Sequence, residues 1–324
     1  MMESAEMFID KSYKELLAIR KKLLEDIYAY ETCVPVLDGY KTSEQNAYLC
    51  NLESLGKVCE LIWEKFILNP NNEIRYIDVI RMYLNHKGIN CNTNLLARVK
   101  ERKEGKEFTL EDHIRGMVYS MMSSQKKWFV IEPNLSEIDK LFFDYDYKKI
   151  IEKNPDYYCE KLYELKCGNR NTKKQMNSLK DNIKTFQRIE NDYGSIDLFI
   201  LSKSPEEIVK SLSDEKSLYK IKCFGEALSW EYLRNIGIDA AKPDVHLRRF
   251  FSAKRMGTGK VPEATEAEVI EQINFLSEET GISKTELDNL IWRYCADGYG
   301  EICTANPRCN ECLIRHRCNK GRVL

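Results

Sequence analysis

Four cysteines, Cys303, Cys309, Cys312 and Cys318, close the chain with five, two and five residues between them. Four soft sulfurs within so short a span can converge on one centre when tight loops bring them together. Such a tetrathiolate holds either a zinc ion or an iron–sulfur cluster. The two-residue gap in Cys309-Asn310-Glu311-Cys312 suits both. Zinc sites usually pair two such gaps, and flanks of five and five are less typical of a zinc ribbon. Cys295 is an alternative first ligand, but the thirteen residues between it and Cys309 favour a buried thiol on the preceding helix. Cys33, Cys50, Cys59, Cys91, Cys159, Cys167 and Cys223 are scattered among helical patterns and read as small apolar core residues. A second chemically able group is Asp244, which follows Pro243 and precedes the helical run Val245-His246-Leu247-Arg248-Arg249-Phe250-Phe251. A carboxylate at that position caps the helix, and the helix dipole favours its ionised form.

Taken in order, the Lys242-Pro243-Asp244-Val245-His246 segment and the cysteine loop resemble the endonuclease III branch of the helix-hairpin-helix DNA glycosylases. The C-terminal loop of that family carries a [4Fe–4S] cluster. The family usually has six residues in the first gap, where this chain has five. The resemblance spans about residues 109–320 and implies a [4Fe–4S] cluster on Cys303, Cys309, Cys312 and Cys318, with zinc as the alternative. It also makes Tyr219–Leu228 the hairpin, with Cys223 where the first glycine usually stands and Gly225 at the second. Backbone N–H groups around Phe224 and Gly225 would then meet a DNA phosphate. Asp244, nineteen residues after Gly225, becomes the catalytic carboxylate. Breaking a base–sugar bond builds oxocarbenium-like charge at C1′, which a fixed carboxylate stabilises while it orients or deprotonates water.

The same resemblance assigns further roles. His246 is expected to be structural, and Arg248, Arg249, Lys254 and Arg255 to reach phosphates. Ser123-Ser124-Gln125 matches a stretch whose glutamine fills the gap left by an extruded base, so Gln125 is the wedge candidate. Lys126 and Lys127 would touch phosphates, and Trp128 would line the base pocket or the core. Family members that also cut the strand carry a lysine two residues after the second hairpin glycine, whose amine forms a Schiff base. Ala227 occupies that place. The expected enzyme is therefore a monofunctional DNA glycosylase acting on a damaged or mismatched base in double-stranded DNA. The alternatives are a bifunctional glycosylase and lyase using Lys222 or Lys242, and a non-catalytic iron–sulfur DNA-binding protein.

The elements that must position these residues read as helices throughout, so the fold class is all-α. Amphipathic patterns cover about 8–31, 42–67, 74–85, 93–103 and 109–122, with a break at Asn69-Pro70-Asn71-Asn72. Thr109, with Glu111 and Asp112 in the first turn, marks a helix start. Later patterns cover about 136–153, 156–164, 172–191, 205–212, 226–235, 245–254, 265–279 and 284–295, and no convincing period-two run appears. Acids and bases alternate in Arg102-Lys103-Glu104-Gly105-Lys106-Glu107, which reads as a solvated linker. That places the expected boundary between a helical accessory domain, 1–108, and the glycosylase-like domain, 109–324.

Composition narrows the class further. Hydrophobic content of 43% with 31% charged residues describes an ordinary soluble protein. The net charge of −1 gives no global pull toward nucleic acid, so any DNA binding must rest on local basic faces. No apolar stretch approaches the roughly 18 residues of a membrane span. The start, Met1-Met2-Glu3-Ser4-Ala5-Glu6, has no signal-peptide pattern. Twelve cysteines without a secretion signal point to an intracellular, reducing compartment, in the cytoplasm and nucleoid or in a nucleus. A monomer is expected.

Overall fold

The computed structural model describes residues 8–33, 42–68 and 75–321, and every regular element among them is helical apart from an isolated bridge between Ser252 and Gly259. The chain divides into two compact units, Met1–Ile74 and Arg75–Leu324. In the first, α1 (Tyr13–Cys33) packs against α2 (Thr42–Leu68). Leu16 and Ile27 of α1 and Val58, Leu61 and Ile62 of α2 are buried, and Tyr30 stacks on Tyr48 with ring centroids 4.7 Å apart. The expected break at Asn69–Asn72 lies outside the described residues.

The second unit begins with α3 (Tyr76–His86), α4 (Asn94–Lys103), α5 (Leu110–Met122), α6 (Trp128–Ile131) and α7 (Leu135–Leu141). It continues with α8 (Tyr147–Glu152), α9 (Pro155–Glu164), α10 (Thr172–Tyr193), α11 (Ile196–Leu201) and α12 (Pro205–Ser213). Last come α13 (Glu226–Asn235), α14 (Val245–Phe250), α15 (Glu266–Thr280) and α16 (Lys284–Cys295). No described helix is long and apolar enough to cross a membrane.

Helix α5 runs through the core. Its start is held by a reciprocal capping box between Thr109 and Asp112, and Ile114, Met117, Val118, Met121 and Met122 are fully buried. Gly116 lets α13 approach: a Cβ there would fall 2.8 Å from Ile236 Cγ2. Tyr232 of α13 stacks on Phe186 of α10 at 5.8 Å, and its hydroxyl pairs with His113 Nδ1 at 2.7 Å. Helices α5, α10 and α13 thus share one core, and α13 is the element that reaches the site.

Four expectations change. The boundary at 108 falls inside the second unit, because α3 packs on α16 and α4 packs on α13 and α16. Arg102 is no linker residue: its guanidinium donates to Asp197 Oδ2 and Oδ1 at 3.1 and 2.7 Å and lies over the Phe108 ring at 4.3 Å. The helix expected over 136–153 is interrupted by left-handed Phe143, Asp144 and Tyr145. That turn brings the Tyr145 hydroxyl onto Asp139 Oδ1 at 2.5 Å, beside the Tyr119 hydroxyl at 2.8 Å. The helix expected over 245–254 ends at Phe250, where the chain folds back and Met256 donates its N–H to the Phe250 carbonyl.

Candidate functional site

Pro243 and Asp244 enter α14 in extended conformation, and Asp244 is its N-cap. One carboxylate oxygen, Oδ1, accepts the N–H groups of His246 and Leu247 at 2.8 and 3.3 Å. The other makes no hydrogen bond among the described residues. Asp244 is both a cap and a wall of a cleft of about 860 Å³ in the second unit. Gln125, Lys126, Lys127, Trp128, His246, Arg249 and Trp292 line the same cleft, so residues from both ends of the expected motif set meet in one place.

Beneath Asp244 lies an ion network that sequence reading missed. Arg234 bridges Glu231 Oε2 at 3.1 Å and Asp288 Oδ1 at 2.9 Å, and Lys242 Nζ stands 3.3 Å from Glu231 Oε2. Asp288 also accepts the backbone N–H of Lys242 at 2.6 Å, two residues before Asp244. Burial pushes the Asp288 carboxyl up to about 7, with Arg234 pulling the other way. The sequence signal was faint: Ala227, Glu231 and Arg234 recur at helical spacing on one face of α13, two charges inside an otherwise apolar pattern.

At the rim, Gln125 takes a left-handed φ of 54°, and its Oε1 accepts from Arg170 Nε at 2.8 Å. A non-glycine residue there is strained, and such strain gathers at functional sites. Lys127 Nζ is 3.1 Å from Asp297. Arg249 turns back onto the Val245 carbonyl at 3.1 Å and Glu263 at 3.8 Å. Arg248 lies outside the cleft, where its Nε donates to the Ala264 carbonyl at 2.8 Å. His246 packs edge-on against Trp292 at 5.9 Å, and burial lowers its pKa, which favours a neutral imidazole. That agrees with a packing role.

The expected hairpin joins α12 to α13. Cys223 adopts φ 67°, the left-handed conformation that glycine would supply, and its Sγ meets Ser178 Oγ of α10 at 3.1 Å. The turn thus holds a left-handed residue without glycine at this position. Phe224 is only 2% exposed and packs in the core, so a DNA contact there would fall to the backbone, and its N–H already donates to the Ile221 carbonyl at 3.1 Å. Gly225 and Ala227 are exposed and do not line the cleft, and α13 starts with no side-chain cap. Lys222 is likewise outside the cleft, paired with Asp181 at 2.6 Å.

After α16 the chain turns back through hydrogen bonds from Gly300 and Ile302 N–H to the Arg293 and Tyr294 carbonyls, then winds through tight turns to Cys318. Cys303, Cys309, Cys312 and Cys318 line one small cavity of about 20 Å³, together with Arg255. Arg255 Nη1 donates to Cys303 Sγ at 3.1 Å, and the Tyr294 hydroxyl donates to Cys312 Sγ at 3.3 Å. A hydrogen bond from buried Cys295, aided by Arg255, brings the Cys303 thiol down to about 6. Cys295 itself ends α16 fully buried and does not line the cavity. Among the described residues no three metal-ligating side chains converge on a single ion. Zinc would need its sulfurs about 2.3 Å from one point. A [4Fe–4S] cluster ligates each sulfur to a different iron and needs more room than a single ion, so this geometry selects neither group. Comparison of the chain with family models, curated proteins and solved structures finds no match.

Proposed function

We propose that this protein is a monofunctional DNA glycosylase, which hydrolyses the bond between a damaged or mismatched base and its sugar. The observation that carries the reading is the meeting of Asp244, capping α14, with Gln125 and aromatic side chains around one cleft. Its volume, about 860 Å³, suffices for a nucleotide turned out of a duplex. Trp128, Trp292 and Tyr119 give it stacking surfaces. The Asp244 carboxylate would stabilise the charge that develops at C1′, and Gln125 on its strained rim would occupy the vacated stack. The loop–helix pair α12–α13, with left-handed Cys223, supports the helix-hairpin-helix reading.

Cys303, Cys309, Cys312 and Cys318 would hold a [4Fe–4S] cluster as a structural clamp on the C-terminal loop. Arg255 would offset the charge of the thiolates. The test is a panel of duplexes, each with one lesion or mismatch, read with and without alkali. Base release followed by alkali-dependent strand breakage is expected for at least one lesion. No release from any of them would leave the non-catalytic DNA-binding alternative.

A further inference from the structure

The chain is nearly neutral, with 50 basic and 51 acidic residues, yet its basic side chains are not evenly spread. Lys173, Lys180, Lys184 and Arg188 recur at helical spacing and stand exposed along α10. Between Lys173 and Arg188 the helix rises about 22 Å, at 1.5 Å per residue. Three observations tie this stripe to the cleft. Arg170, just before α10, holds Gln125 at the cleft rim through the 2.8 Å hydrogen bond. Arg170, Lys173, Lys174 and Lys222 line a shallow groove of about 510 Å³, where the one carboxylate, Asp181, is already paired with Lys222. Cys223 joins the hairpin to the same helix through Ser178, and Arg188 reaches the Leu218 carbonyl at 3.3 Å.

The ordinary account of exposed lysines on a helix is a solvated face. A solvated face usually pairs opposite charges along its own helix, as on α9, where Lys161 is matched by Glu164 at 2.6 Å. On α10, among the described residues, no acid of the helix pairs with Lys173, Lys180 or Lys184 within salt-bridge distance, and Asp181 is taken by Lys222. We infer that the exposed face of α10 is a phosphate track, which carries the duplex backbone from the Gln125 rim past the hairpin. At 3.4 Å of axial rise per phosphate along one strand, the track spans about six phosphates. The inference rests on the DNA-binding part of the proposed function and names a surface it did not include.

The test is binding of undamaged duplex between about 50 and 200 mM salt. Each lost phosphate contact lowers the slope of log Kd on log salt by about 0.9. Lys173→Gln/Lys180→Gln/Lys184→Gln should weaken binding and lower the slope by about 2 to 3. The exposed set Lys140→Gln/Lys149→Gln/Lys161→Gln, on α7, α8 and α9, should change neither. Equal slopes for wild type and the α10 variant, or equal losses in both variants, would overturn the track. The two readings separate cleanly. A lowered slope in a protein that releases no base keeps the track and removes the glycosylase, whereas base release with an unchanged slope does the reverse.

Discussion

Arg102 and Asp197 form a two-bonded ion pair, 2.7 and 3.1 Å, with side chains only 12% and 7% exposed. Asp197 also accepts the N–H of Phe108, and Arg102 donates to the Ile236 carbonyl at 2.7 Å. One pair therefore joins α4, α11 and the end of α13. Removing one partner strands the other without water, a loss of about 3–5 kcal/mol. Asp197→Asn and Arg102→Ala should each lower the urea midpoint sharply, and a loss below about 1 kcal/mol would mean the pair is decorative. Burial raises the Asp197 pKa, but hydrogen bonds from His113 and Arg102 outweigh it and hold the carboxyl well below the usual range. A depressed carboxyl stabilises above its unfolded pKa of about 3.9 and loses that stability as pH falls. Wild type should weaken steeply below about pH 4, and Asp197→Asn less so.

The same pair marks what sequence could and could not tell. Helices α13 and α16 were legible to the residue, since their apolar spacing is local. Arg102 was read as solvated because its partner lies 95 residues away, and alternating charge says nothing about distant carboxylates. The cleft was half legible. Asp244 and Gln125 were singled out because each sits at a helix end in an order that resembles a family, and both line the cleft. Glu231, Arg234 and Asp288 were missed because an ion network buried between helices leaves no contiguous motif.

Asp244→Asn separates capping from chemistry. Asparagine caps a helix about as well as aspartate, so the melting temperature should hardly change. Base release under single-turnover conditions should fall by about 10²-fold or more, since one preorganised charge beside the sugar is gone. Duplex binding should persist. Asp244→Ala should lose the chemistry and, in addition, about 1 kcal/mol of stability. If Asp244→Asn released base at the wild-type rate, the carboxylate would be a cap alone.

The cysteine cavity predicts colour and composition. Protein purified without oxygen should be brown and carry about four iron and about four sulfide per chain. Cys309→Ser should bleach it and loosen the loop after α16, seen as faster proteolysis there. Arg255→Met should leave the ligands in place but make the colour less durable in air, because the guanidinium on Cys303 is lost. One tightly held zinc with no sulfide would replace the cluster with a different metal site.

Borohydride should trap no covalent adduct between the protein and abasic DNA. A Schiff base needs an amine that reaches C1′ in the cleft. Ala227, in the position of the nucleophilic lysine, offers none. Of the two lysines near the motifs, Lys222 lies outside the cleft and is paired with Asp181 at 2.6 Å. Lys242 does line the cleft, yet its Nζ is engaged by Glu231 at 3.3 Å and its side chain is 16% exposed. Product DNA should break only after alkali or a separate endonuclease. Trapping at the yield of a known bifunctional enzyme would sink this expectation, and the geometry then names the culprit in advance. Lys242→Ala should abolish such trapping and Lys222→Ala should not. Glu231→Gln, which frees the Lys242 amine from its carboxylate, should raise whatever trapping exists.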